Sequence, residues 1–403
     1  MKPMIRLSHR LADLMPSPTL AIAAKAAEMK AKGQPVISLS AGEPDFDTPE
    51  PIRKAARLAM ESGQTRYTPS EGNRSLREAI RDKFETDNQL HYPLDSILVA
   101  PGAKYALHAL AQCLLNPGDR AVIVAPYWVS YPDIIRLSGA ECTVLKTEAR
   151  EHYRLDLEAL DRALEPPSRL FILNSPCNPT GVQCRRAELE SIGAVLRRHP
   201  QVVIATDDLY ESILWSEEPF TNLPMVCPDL RGRCVVVNGV SKTYAMTGWR
   251  IGYAAGPKEL IGAMSDFQSH TISSANSIAQ AAAVAALRST PALIAGMVHA
   301  YHERHDYLAP ELKRLAGVEV TPADGTFYLF ADCRTFLKEA PSVRDDLTLA
   351  SEILEHAGVA VVPGSAFGAP GHLRLSYATE LSTLKQAMER IQQFWISRTR
   401  LGA

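Results

Sequence analysis

Surplus charge, paired cysteines and long apolar runs are all scarce in these 403 residues. Lys and Arg total 43 and Asp and Glu 45, a formal net charge of −2. A nucleic-acid-binding chain would show a clear basic excess, so no such partner is expected. The 7 cysteines, at positions 113, 142, 177, 184, 227, 234 and 333, stand singly, with no CxxC pair and an odd total. That usage fits reduced thiols in a cytoplasmic compartment and argues against disulfides or a zinc site. Cys113 and Cys234 lie in apolar runs and read as small core residues. No window of about 18 uncharged apolar residues occurs, so no transmembrane helix is expected. The Ala-rich stretch 277–287 is too short for one. Residues 1–8 carry charge but no apolar core, so no secretory signal is expected either.

What is present is ordinary for a soluble enzyme: 46% hydrophobic and 22% charged residues. A chain of this length exceeds a single small core, so two domains are expected. Residues 1–16 read as an arm, and Ser17 or Thr19 can cap a helix over 20–32 that Gly33 closes. A short strand over 36–39, a turn-rich loop over 40–49, a helix over 51–62, a loop over 64–72 and a helix over 75–88 follow.

From there strand, loop and helix recur. Strands over 96–99, 120–124, 170–173, 202–205 and 234–237 are short and apolar, the last of them β-branched. Each runs into a loop with glycine, polar or aromatic residues, and helices alternate with them. The pattern predicts an α/β fold, a mostly parallel sheet with helices on both faces. In such sheets ligands bind beyond the carboxyl ends of the strands, so five loops converge on one site. After about residue 290 the pattern changes to α+β. It predicts a long helix bearing Tyr301, Arg304, Asp306 and Tyr307, then strands over 318–320 and 326–330. A helix over 345–357, strands over 359–362 and 373–376, and a closing helix over 382–394 complete it. The expected division is 1–45 (arm and part of a small domain), 46–289 (large domain) and 290–403 (small domain).

The chemistry gathers at the strand ends. Lys242 follows the strand over 234–237, with Ser241 beside it and Arg250 eight residues on. An amine, a hydroxyl and a guanidinium so placed suit a carbonyl cofactor that carries a phosphate. Gly102, Ala103 and Lys104 open a helix at a strand end, where free N–H groups make a phosphate seat. Asp207 closes the strand over 202–205 and should be partly buried, so it needs a cationic partner such as a protonated pyridine nitrogen. Asn178 and Tyr210 can donate to a ring phenolate, and Trp128 can stack on a ring. Arg374 alternates with Leu373 and Leu375 on a strand and offers a bidentate fork for a carboxylate. Taken singly, each has a bland reading too. Lys242 suits a surface, Asp207 an N-cap or salt bridge, Asn178 a turn, Trp128 the core and Arg374 an outward strand position.

The motifs taken together end that ambiguity. Ser241-Lys-Thr-Tyr-Ala-Met-Thr-Gly-Trp-Arg-Ile-Gly-Tyr253, Asn174-Ser-Pro-Cys-Asn-Pro-Thr-Gly181, Pro126-Tyr-Trp-Val-Ser-Tyr-Pro132 and Leu373-Arg-Leu-Ser-Tyr-Ala378 resemble those of the class I aminotransferases of fold type I. With Ala41-Gly-Glu-Pro-Asp-Phe-Asp-Thr-Pro49, the chain is most similar to the bacterial aspartate aminotransferases of subgroup Ib. The resemblance spans nearly the whole chain. It implies pyridoxal 5′-phosphate as cofactor, joined to Lys242, which also carries the proton. It implies that Asp207 pairs with the ring nitrogen, Asn178 and Tyr210 contact the phenolate, and Trp128 stacks on the ring. Arg250, Ser241 and the backbone of 102–104 would hold the phosphate, and Arg374 and Gly42 the substrate α-carboxylate. It also implies a homodimer in which Tyr67 enters the neighbouring subunit's site.

Aspartate needs a second cation. One branch of the family takes an arginine from the partner, on a segment corresponding to about 265–277, but no Lys or Arg lies between Lys258 and Arg288 here. In subgroup Ib a lysine at the start of the phosphate helix serves instead, and Lys104 matches it. The expected reaction is therefore amino transfer between L-aspartate and 2-oxoglutarate. The alternatives are aromatic amino acids or alanine as substrates, or a carbon–sulfur lyase. Two departures stand out besides Asp208 in place of the relatives' Glu. Gly239 replaces a phosphate-binding serine of some branches. Met15 stands where prephenate-using relatives carry a basic residue, so prephenate is expected to be a poor substrate.

Overall fold

The computed structural model describes residues 18–340 and 343–400, with Ser8, Leu11 and Leu14. Most of the expected arm, with Met15 and the Ser17 cap, lies outside them. The first strand, β1, is Ile37–Ser38. Seven more follow before residue 256: β2 Ile97–Ala100, β3 Arg120–Ala125, β4 Glu141–Lys146, β5 Ser168–Asn174, β6 Val203–Asp207, β7 Cys234–Gly239 and β8 Gly252–Ala255. β2 to β8 form one sheet in the order β2-β8-β7-β6-β5-β3-β4. Neighbours from β4 through β7 run parallel, and β8 alone is antiparallel to both β7 and β2. The expected mostly parallel sheet is what forms.

Its inner strands are mostly apolar, as strands covered on both faces must be. Along β3, Ala121 and Ile123 pack with the helices Ala103–Leu114 and Tyr131–Leu137, whereas Val122 packs with Leu157–Ala163 and Arg186–Leu196. Successive side chains thus enter different cores, as strand geometry requires. The polar edge strand β4 and the short helices Tyr131–Leu137 and Leu157–Ala163 carry little apolar periodicity, and the sequence pattern did not reveal them.

The second sheet comes from the last part of the chain: β9 Glu319–Val320, β10 Tyr328–Asp332, β11 Val359–Ala360, β12 Val362–Pro363 and β13 His372–Ser376. Its antiparallel order is β12-β13-β10-β9, and β11 pairs separately with β1, in parallel. The helices Ala292–Lys313 and Leu381–Arg400 pack on it through Tyr301, Leu308, Leu312, Leu384, Met388 and Ile391. Tyr210 and Ile213, from just beyond β6, enter the same core.

Three expected elements change form. The strand over 326–330 begins only at Tyr328, because Thr326 adopts φ 67°, which a strand cannot contain. The strand over 359–362 splits at Val361, with its halves pairing to different sheets. The helix over 345–357 is α-helical only over Asp346–Glu352, then widens to a π turn over Ile353–Ala357 and ends at Gly358 with φ 65°. Among the described residues no single helix is long and apolar enough to cross a membrane.

Candidate active site

The carboxyl ends of β2, β3, β5, β6 and β7 open onto one cleft, a cavity of about 300 Å³. Gly42, Ala103, Lys104, Trp128, Asn178, Asp207, Tyr210, Ser241, Lys242, Arg250 and Arg374 all line it. Gly102 is the residue before the helix Ala103–Leu114 and lies against Arg250, which lines the cavity. Of the expected residues only Tyr67 stands apart, 93% exposed.

β6 ends on Asp207, whose carboxylate is buried. Tyr131 Oη donates to Asp207 Oδ2 at 2.6 Å, and the Asp207 main-chain oxygen accepts from Asn174 Nδ2 at 2.8 Å. Burial pushes the Asp207 carboxyl above its ordinary range, opposed by the Tyr131 hydrogen bond. Asn174 Oδ1 also accepts from the Asn178 N–H at 2.9 Å, which fixes the loop carrying Asn178. Tyr210 Oη lies 3.2 Å from Tyr328 Oη, the second a residue of β10. The resemblance assigned no role to Tyr131, Asn174, Tyr328 or Thr247. Tyr131 was visible as an aromatic three residues after Trp128, the reach of one helical turn. Tyr328 depends on pairing of distant strands and left no local signal.

Lys242 is half-buried, and its Nζ donates to the Gly42 carbonyl. Burial, then the nearby positive charge of Arg374, pulls its amine down to about 8. Arg374 sits on β13 opposite Phe330 and is only 4% exposed. Its Nη1 donates to Asn178 Oδ1 at 3.1 Å and its Nη2 to the Ser40 carbonyl at 2.9 Å. Nε is buried without a partner, and the guanidinium lies 4.4 Å from the Tyr328 ring centroid and 4.9 Å from that of Phe367. Burial lowers its pKa as well. The outward, solvent-facing alternative for Arg374 is thus ruled out.

At the other end, Gly102 has φ 93°, and no side chain caps the helix it opens. A Cβ there would fall 2.4 Å from Arg250 Nη2, so the bare backbone lets the guanidinium lie against the helix start. Arg250, itself at φ 57°, donates from Nη1 to the Thr247 carbonyl at 2.9 Å. Lys104 extends from the first helical turn to place Nζ 4.9 Å from the Trp128 ring centroid. Desolvation and then Arg250 lower its pKa.

A parallel sheet whose strand ends gather an amine of lowered pKa, a buried carboxylate and a helix-start anion seat defines a fold type I enzyme. The description "aminotransferase class I and II" matches residues 34–391, and the chain belongs to that family. It is 44% identical over 392 residues to the aspartate/prephenate aminotransferase of Nitrosomonas europaea, covering 96% of this chain and 99% of that one. It is 43% identical over 394 residues to the aspartate aminotransferase of Geobacillus stearothermophilus, covering 98% and 100%. The solved aspartate aminotransferase of Rhizobium meliloti superposes with a TM-score of 0.94 at 42% identity, covering 98% and 100%. That of Thermus thermophilus with maleate gives 0.90 at 39%, covering 97% and 100%.

The family's cofactor is pyridoxal 5′-phosphate. The residues present fit it. The buried Asp207 carboxylate, raised in pKa and facing the cavity, suits a cationic ring nitrogen. The helix start at Gly102 beside Arg250 suits a phosphate, and the lowered amine of Lys242 suits a carbonyl.

Proposed function

We propose that this aminotransferase moves the amino group between L-aspartate and 2-oxoglutarate in two half-reactions. The observation that carries the reading is the pair of cations, Arg374 and Lys104, on one cavity of about 300 Å³, the arrangement a dicarboxylate needs. Arg374, held by Asn178 and Ser40, takes the α-carboxylate in its fork near Gly42. Lys104 takes the distal carboxylate. Arg250, Ser241 and the N–H groups at 102–104 bind the phosphate. Trp128 covers the ring, Asn178 and Tyr210 address its phenolate oxygen, and Asp207 holds the proton on its nitrogen.

Bound pyridoxal phosphate supplies a carbonyl that joins the amine and a ring that draws electrons from Cα. With the cofactor held there, Lys242 Nζ would take the proton from the substrate Cα and hold it for return. An amine with pKa about 8 is a competent base near neutral pH, whereas a solvated lysine at about 10.4 is not. The unit is read as a cytoplasmic homodimer in which each Tyr67, exposed in the single chain, completes the neighbouring site. Residues 1–45 and 290–403 are read as one small domain against 46–289, a division that the β1–β11 pairing supports.

The reading is tested with a panel of amino donors and 2-oxoglutarate. Aspartate should exceed alanine and phenylalanine in kcat/KM, and parity among the three would overturn the assignment. Release of pyruvate and ammonia without an acceptor would indicate a lyase instead. Because Met15 is uncharged, prephenate turnover should fall well below that of oxaloacetate, and comparable rates would refute that expectation.

A further inference from the structure

Behind the cleft lies a second polar cluster that the reaction scheme does not use. Glu211 directly follows Tyr210, and its carboxylate is buried, with 8% of the side chain exposed. It forms an ion pair with Lys83, whose side chain is 6% exposed, on the helix Arg74–Asn88. Asn88 Nδ2, from the end of the same helix, donates to Glu211 Oε2 at 3.0 Å. Asn238 Nδ2, on β7, donates to Oε1 at 2.8 Å. Lys83 Nζ closes the cluster by donating to Asn88 Oδ1 at 2.6 Å.

The connections run to both catalytic strand ends. Tyr210 sits inside a turn closed by the Glu211 N–H on the Asp208 carbonyl at 3.0 Å. A shift of Glu211 therefore shifts Tyr210. Asn238 stands four residues before Lys242, and its Oδ1 accepts from the Gly239 N–H at 2.7 Å. One carboxylate thus ties the segment of Asp207 and Tyr210 to the segment of Ser241 and Lys242, and anchors both to a helix. On the far side Lys83, Asn88 and Glu211 line a cavity of about 920 Å³ together with Asp87 and Tyr244. A buried ion pair contributes little net stability against apolar replacements, so its most useful property is a fixed geometry.

We propose that Glu211, with Lys83, Asn88 and Asn238, is a positioning node that sets Tyr210 and Lys242 relative to each other. None of the four touches the reacting atoms. The inference rests on the site reading given above. It implies that loosening the node harms the proton transfer, made only in the transition state, more than substrate binding.

The test uses the intact holoenzyme and three variants. Asn238→Ala cuts the link to β7 and leaves the ion pair in place. Glu211→Gln removes the central charge, and the double variant Lys83→Met with Glu211→Gln removes both charges so that neither is stranded. Expected is a fall in kcat of about 10-fold or more with KM for aspartate within about 2-fold of wild type. The pH midpoint of the bound-cofactor absorbance should also move, by at least about 0.5 unit. Should the charge variants fail to fold, Asn238→Ala decides alone. Wild-type kcat and an unmoved midpoint in Asn238→Ala, or in a folded double variant, would show the cluster to be structural only. Lys242→Ala in the same assays separates the two levels. If it retains turnover, the site reading fails, whatever the node variants do.

Discussion

At the scale of single residues, the two lysines on the cavity wall act through different properties. On the proposed reading, Lys104 meets the distal carboxylate of aspartate and finds no such group on alanine. Lys104→Ala should raise KM for aspartate about 10-fold or more, since a hydrogen bond to a charged partner contributes about 1.5–3 kcal/mol. KM for alanine should stay nearly constant, and equal effects on both would remove Lys104 from the distal subsite. Lys242 contributes a proton affinity. Its amine is lowered to about 8, so it is protonated below that pH and neutral above it. Covalent capture of pyridoxal phosphate by the cofactor-free protein should therefore rise through pH 8 and then level, where an ordinary lysine would continue rising toward about 10.4. Arg374 is the second cause of the lowering, after burial. Arg374→Gln should move the midpoint upward, and an unmoved midpoint would remove Arg374 as a cause of the lowering.

At the scale of elements, the helix start at Gly102 makes a controlled comparison possible. Gly102 and Gly118 share φ 93°, but a Cβ at Gly118 would meet nothing within 4 Å, and one at Gly102 would meet Arg250. Alanine at either position is strained by the positive φ, at a cost of about 1–3 kcal/mol. Only Gly102→Ala should also weaken cofactor binding, by about 10-fold, because its Cβ would push aside Arg250, the proposed phosphate ligand. Thermal melting of both variants and pyridoxal phosphate titration would check this, and equal cofactor affinities would dissolve the argument. The same scale explains what the sequence made legible. The strands β2, β3, β5, β6 and β7 are buried on both faces, so they read as continuous apolar runs, and each site loop could be placed at a strand end. Asp207, Lys242 and Arg250 could therefore be placed on the cleft from local pattern plus motif. Tyr328 reaches Tyr210 only because β10 pairs with β13, and the Glu211–Lys83 pair joins residues far apart in the chain. Contacts of that kind have no local periodicity. Thr326 similarly shortened a strand through a backbone angle that an apolar run does not announce.

At the scale of the whole molecule, the asymmetry of exposure belongs to Tyr67. The expected residues that line the cleft surround one cavity, whereas Tyr67 is 93% exposed on a single chain. An aromatic left in that state fits a contact made across a two-fold axis, where each subunit completes the other's site. That arrangement has a test that a site formed within one chain cannot pass. Tyr67→Ala and Lys242→Ala chains should each be impaired as homodimers. In a hybrid, the subunit carrying Tyr67→Ala keeps its own Lys242 and receives an intact Tyr67 from its neighbour, while the other site bears both lesions. Random reassortment makes half the dimers hybrid with one restored site in two, so mixing should recover about a quarter of wild-type turnover. If Tyr67 acts within its own chain, each hybrid site keeps one lesion, and the mixture will do no better than the average of its parents.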